Sequence, residues 1–243
     1  MSEWLQAYRI AKLELQKSVL GFLQGLFLTT FVTIFLITSL SSYLDNGYVG
    51  FDFFFLLLFS VGLIWAKPKE FQLQKVNGDL LASPIFMMQL ALPIKRSILI
   101  KSRFIIQFVY SFPFQLLFLI AFYIFSPIND TFSISGYLAF MVFWLLIGMF
   151  FGCALPSADA GDSSKLTTTT IGSIFSSILL LIISIAVLIA VHASTGEGPV
   201  YWSIKTIERW PLLAIGIAIL LTLTTMAYWL SYMQKRLAKQ DYL

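Results

Sequence analysis

Six stretches of this chain approach or meet the apolar length needed to cross a bilayer, and no other feature restricts its fold so strongly. A helix rises about 1.5 Å per residue, so about 20 apolar residues cross a hydrocarbon layer about 30 Å thick. The stretches run from about Leu20 to Leu40, Phe51 to Ala66, Phe104 to Phe125, Tyr137 to Leu155, Ile171 to Val191 and Pro211 to Tyr232. The second is the shortest and carries Asp52 near one end, so a re-entrant segment is the alternative to a full crossing there. Composition agrees with a lipid-facing surface. Only 12% of the 243 residues are charged, whereas a soluble domain needs roughly 25% to face water.

The distribution of positive charge argues for six crossings over five. Fourteen of the 16 Lys and Arg residues fall in the N-terminal segment, the loops after spans two and four, and the C-terminus. Only Lys205 and Arg209 fall on the other side. Basic residues collect on the cytoplasmic side of membrane proteins, so six spans place both termini in the cytoplasm. The expected fold is an all-α integral membrane protein with six transmembrane helices, N-in and C-in. It comprises an N-terminal interfacial helix over residues 1–19, a membrane domain over 20–232 and a basic tail over 233–243. The mixed polarity of Trp4, Tyr8, Arg9, Lys12 and Glu14 does not fit a cleavable signal peptide. A net charge of +4, placed mostly at one membrane face, points to a bilayer and not to nucleic acid.

Several short segments carry further information. Trp4, Tyr8, Ala11 and Leu15 recur at helical spacing and predict an amphipathic helix at the inner interface, the alternative being a plain extension of span one. Ser83-Pro84 is a helix start, with Ser as N-cap and Pro at the first helical position. The residues that follow, Ile85 to Leu92, make a short apolar helix that either meets a partner or packs beneath its own bundle. Between spans five and six, Gly198-Pro199 with Tyr201 and Trp202 predicts a short external interfacial or re-entrant helix. Two G-x-x-x-G pairs, Gly21/Gly25 and Gly148/Gly152, allow close helix approach within the chain or between chains.

The spans offer little chemistry. Asp52 and His192 are ionisable residues near span ends, and both are expected at the outer interface. One histidine does not make a metal site, and the sequence has no phosphate-binding loop of the G-x-x-x-x-G-K-[ST] type. No catalytic, cofactor or metal residue is expected in this chain. A transporter built this way would draw its energy from outside the chain.

The order of these parts resembles the permease subunits of ABC-2 type ATP-binding-cassette exporters. An amphipathic helix precedes span one, a long basic loop follows span two, a small polar loop follows span four, and an extended external segment separates spans five and six. The string Leu90-Ala91-Leu92-Pro93-Ile94-Lys95-Arg96-Ser97 is similar to a stretch common before the third span in that family. The resemblance implies a dimer of permease chains, identical or paralogous, each docking an ATPase subunit that carries the ATP and Mg. It implies a coupling helix over about Ser83 to Leu92, with contacts through Pro84, Ile85, Phe86, Met87, Met88, Leu90, Leu92, Pro93, Lys95 and Arg96. A minor contact would come from Asp159, Asp162 and Lys165. The apolar spans suit an amphipathic cargo, peptide or lipid-like. The competing expectation is a self-contained membrane enzyme or channel-like scaffold that depends on Asp52 or His192.

Overall fold

A computed structural model describes residues 2–16, 19–60, 72–77, 80–161 and 169–239. Within them lie eleven helical segments and one small hairpin. In chain order they are α1 (Glu3–Leu15), α2 (Val19–Asn46), α3 (Val49–Phe59), β1 (Gln74–Asn77), β2 (Leu80–Ala82), α4 (Pro84–Leu90), α5 (Arg96–Phe125), α6 (Ile128–Thr131), α7 (Ile134–Gly152), α8 (Pro156–Asp159), α9 (Thr170–Thr195), α10 (Pro199–Arg209) and α11 (Pro211–Lys239).

Five helical stretches are long and apolar enough to span a bilayer: α2, α5, α7 with its short extension, α9 and α11. They are longer than the apolar runs alone suggest, because polar ends continue the helices beyond the hydrocarbon. The start of α5 takes in Arg96, Lys101 and Arg103, and the end of α11 takes in Lys235, Arg236 and Lys239. The second expected span is represented by α3, an apolar helix of 11 residues. Its expected continuation to Ala66 lies outside the described residues. The antiparallel pair β1–β2 stands in what sequence reasoning treated only as a basic loop.

The two ends of the bundle are distinct. At the proximal end α1, α4 and the start of α5 meet, Ser83 N–H donates to the Asp159 carbonyl at 3.4 Å, and Arg96 donates to the Leu237 carbonyl at 2.8 Å. At the distal end the α2–α3 turn meets the start of α10. α1 buries Ala7, Ala11 and Glu14, which are three or four residues apart on one face. That face lies on α5, and Lys101 of α5 holds the Glu3 carboxylate at 2.5 Å, keeping its pKa below the usual carboxylate value.

The main core is aromatic and lies in the distal half. Phe51 stacks on Tyr43 with ring centres 4.2 Å apart, and Phe55 meets Trp144 edge-on at 4.7 Å. Phe59 and Phe118 extend the cluster. Rings set edge-to-face or offset gain about 0.5–1.5 kcal/mol per pair beyond burial alone. In lipid such contacts matter more than hydrophobicity, because hydrocarbon is no less apolar than the core.

Candidate functional site

The first site to consider is a polar node at the distal end. Asp52 stands in the first turn of α3, between Phe51 and Phe53, and is 0% exposed. Its Oδ1 accepts from the Tyr43 hydroxyl at 2.9 Å and from the Val200 backbone N–H at 2.9 Å, while Oδ2 is paired with His192 Nε2 at 2.8 Å. The Tyr201 N–H donates in turn to the Tyr43 hydroxyl at 3.0 Å. The first N–H groups of a helix have no partners within it and attract negative charge. Asp52 and Tyr43 therefore cap α10, and one carboxylate links α2, α3, α9 and α10.

Two glycines make that convergence possible. Gly196 ends α9 with φ of 74°, a left-handed conformation that favours glycine. Gly198 lies so close to the carboxylate that a Cβ there would stand 1.9 Å from Asp52 Oδ2. The sequence reading placed Asp52 and His192 at the outer interface. Within the chain Asp52 is wholly enclosed, and His192 is half-buried beside it. Burying a carboxylate is expensive unless it is paired and hydrogen-bonded, and here three partners meet it. Two lone ionisable residues near the same end of two apolar segments were the available signal.

A second polar feature was missed because none of its deeper members is charged. Arg103, Gln107, Ser111 and Gln115 recur every four residues along α5, and all are buried. That spacing puts them on one face. α3 stops at Phe59, and a helix ending among apolar side chains leaves carbonyls that need donors. Gln115 Nε2 donates to the Phe59 carbonyl at 3.3 Å. Gly148 of α7 makes room for this amide, since a Cβ there would meet Gln115 Oε1 at 2.5 Å. Gly152, one turn on, faces Gln107. The Gly148/Gly152 pair thus serves packing inside this chain.

At the proximal end α4 begins, as expected, at Ser83-Pro84. Its residues divide between two environments. Phe86 is 0% exposed, packed among Leu99, Ile100, Met233 and Leu237, with the Arg103 guanidinium 5.3 Å from its ring centre. Gln89 accepts from Arg103 at 2.7 Å and donates to Glu14 at 2.6 Å, and Arg103 also pairs directly with Glu14. Pro84, Ile85, Met87 and Leu90 are half-buried, while Met88 (73% exposed), Leu92, Pro93, Lys95 and Arg96 face outward. The expectation that Phe86 inserts into a partner is therefore corrected: its ring fills the chain's own core. Asp159 is likewise buried, with its carbonyl bound to Ser83. Asp162 and Lys165 lie outside the described residues.

Among the described residues no three His, Cys, Asp or Glu side chains gather as a metal site requires. The two nodes join helices. Comparison with known protein families, with curated proteins and with solved structures finds no match to this chain.

Proposed function

We propose that this chain is the membrane-spanning subunit of an ABC-2 type exporter, driven by ATP hydrolysed on separate cytoplasmic subunits. The observation that carries the reading is the divided character of α4. One face is locked to α5 through Phe86 and the Glu14–Gln89–Arg103 node, and the other offers Met88, with Leu92, Pro93 and Lys95 beyond it. An element that is both anchored and exposed can receive a push and pass it on. In this reading the proximal end is cytoplasmic, both termini lie there, and the chain crosses six times. A displaced α4 would carry α5 with it, because Arg103 and Phe86 tie the two together. α5 would then act on α7 along the face where Gln115 meets Gly148. Two permease chains and two ATPases would form the working particle, and an amphipathic peptide or lipid-like molecule would be its cargo.

The exposed residues supply a cleaner test than Phe86, whose loss would disturb folding. Met88→Asp combined with Leu92→Asp should leave the protein inserted and stable but prevent an ATPase subunit from co-purifying after gentle extraction. An ATPase that stays bound to this double variant removes α4 as the docking element. A particle from native membranes containing no ATPase at all removes the exporter reading. The buried Asp52–His192 pair favours a second reading, a self-contained membrane protein working at its distal end. Activity of the purified chain without ATP, abolished by Asp52→Asn, would select it.

A further inference from the structure

As a sequence α1 carries no net charge, because Glu3 and Glu14 offset Arg9 and Lys12. The fold separates the two signs. The Lys101 ammonium of α5 holds the Glu3 carboxylate at 2.5 Å, and Arg103 of α5 pairs with Glu14, which is buried. Both acids are thus matched by α5. Arg9 and Lys12 are both exposed, and among the described residues neither side chain makes an ion pair or a hydrogen bond. A helix that is neutral on paper therefore presents a purely basic outer face.

The position of α1 restricts what meets that face. Ala11 packs on Ile106 and Tyr110 of α5, with Leu15, Phe22 and Ile105 against the same cluster. Those residues of α5 lie beyond Arg103, in its apolar stretch, so α1 lies along the edge of the hydrocarbon and not out in water. Successive residues turn about 100° round a helix. Trp4 and Tyr8 therefore border the buried face, and Arg9 and Lys12 stand further round, three residues apart and side by side. Trp4 and Tyr8 are 42% and 50% exposed, and such rings settle at headgroup depth. Long basic side chains beside hydrocarbon extend to the charged layer. A zwitterionic headgroup brings its own ammonium to its phosphate, whereas an anionic one leaves a net charge for the two cations to meet. We propose that the outer face of α1 is a binding site for an anionic phospholipid, with its phosphate between Arg9 and Lys12 and its glycerol ester region against Trp4 and Tyr8. The site rests on the membrane-spanning reading alone and needs no ATPase.

Photolabelling of the full chain in vesicles of dioleoylphosphatidylcholine tests the assignment. The probes are phosphatidylglycerol and phosphatidylcholine, each at trace level and each with a diazirine close to the glycerol ester. Adducts on α1 are divided by adducts at Ile174 and Phe175, which are exposed on α9 at the end away from His192. This ratio corrects for the probe content of the bilayer. It should be higher for phosphatidylglycerol by about fivefold or more, the attraction that one cation gains near anionic lipid. Arg9→Gln with Lys12→Gln should abolish the preference, whereas Arg9→Lys with Lys12→Arg should keep it. In the wild-type protein, raising the salt to about 0.5 M should weaken it by screening. Equal ratios for the two probes in the wild-type protein, or a preference that survives the double Gln variant, would overturn the proposal. A wild-type chain without lipid preference, whose double Gln variant loses a co-purifying subunit, would assign the face to a protein and overturn it too.

Discussion

At the scale of single residues, the strongest constraints come from polar atoms that the bilayer gives no alternative partner. Asp52 holds three donors, so Asp52→Ala leaves the Tyr43 hydroxyl, the Val200 N–H and His192 without it. Such a loss should cost about 3 kcal/mol or more, each charge-assisted bond contributing roughly 1.5–3 kcal/mol. Asp52→Asn keeps one carbonyl oxygen for Tyr43 and Val200 and should cost less. Gly198→Ala, which keeps the carboxylate but drives a methyl group into it, should be at least as damaging as Asp52→Asn. Thermal unfolding in a mild detergent would rank the three, and an unperturbed Gly198→Ala would contradict the close approach. A similar argument applies to Gly148→Ala, which displaces Gln115 from the Phe59 carbonyl. Combining it with Gln115→Ala should destabilise by less than the sum of the singles, because both remove one contact.

At the scale of elements, α1, α4 and α5 stand or fall with one ion pair. Glu14→Ala would leave Arg103 charged and buried without its carboxylate, at a cost of about 3–5 kcal/mol, whereas replacing both by apolar residues of similar volume is often neutral. Glu14→Leu with Arg103→Met should therefore be more stable than Glu14→Ala alone, as read from proteolysis of the proximal end. The opposite order would mean that the pair contributes more than it costs. The elements themselves were largely legible beforehand. Apolar runs located the long helices, Ser83-Pro84 located the start of α4, and the spacing of Trp4, Tyr8, Ala11 and Leu15 located α1. What could not be read was which side of each helix met protein and which met lipid, since both surroundings select the same side chains. Phe86 and Met88 look alike in sequence, yet one is core and the other exposed. The Arg103-to-Gln115 spacing was visible, but its value appears only once α3 is seen to stop at Phe59.

At the scale of the whole molecule, α9 stands apart. It is the most apolar span, with a mean hydropathy of 3.0, yet little of it is covered by the rest of the chain. The only buried apolar side chain among its described residues is Leu188, one turn from His192. The other end, from Ile171 to Phe175, is open on nearly every side. α9 has the form of a cantilever, held where His192 meets Asp52 and uncovered by the rest of the described chain at the far tip. A beam held that way deflects least at the clamp and most at the tip, whatever pushes it. Spin labels at Ile174 and Val191 should report a broad and a narrow range of distances to a fixed site on α7, respectively. Asp52→Asn should broaden the Val191 range towards that of Ile174, for weakening the clamp turns the beam into a float.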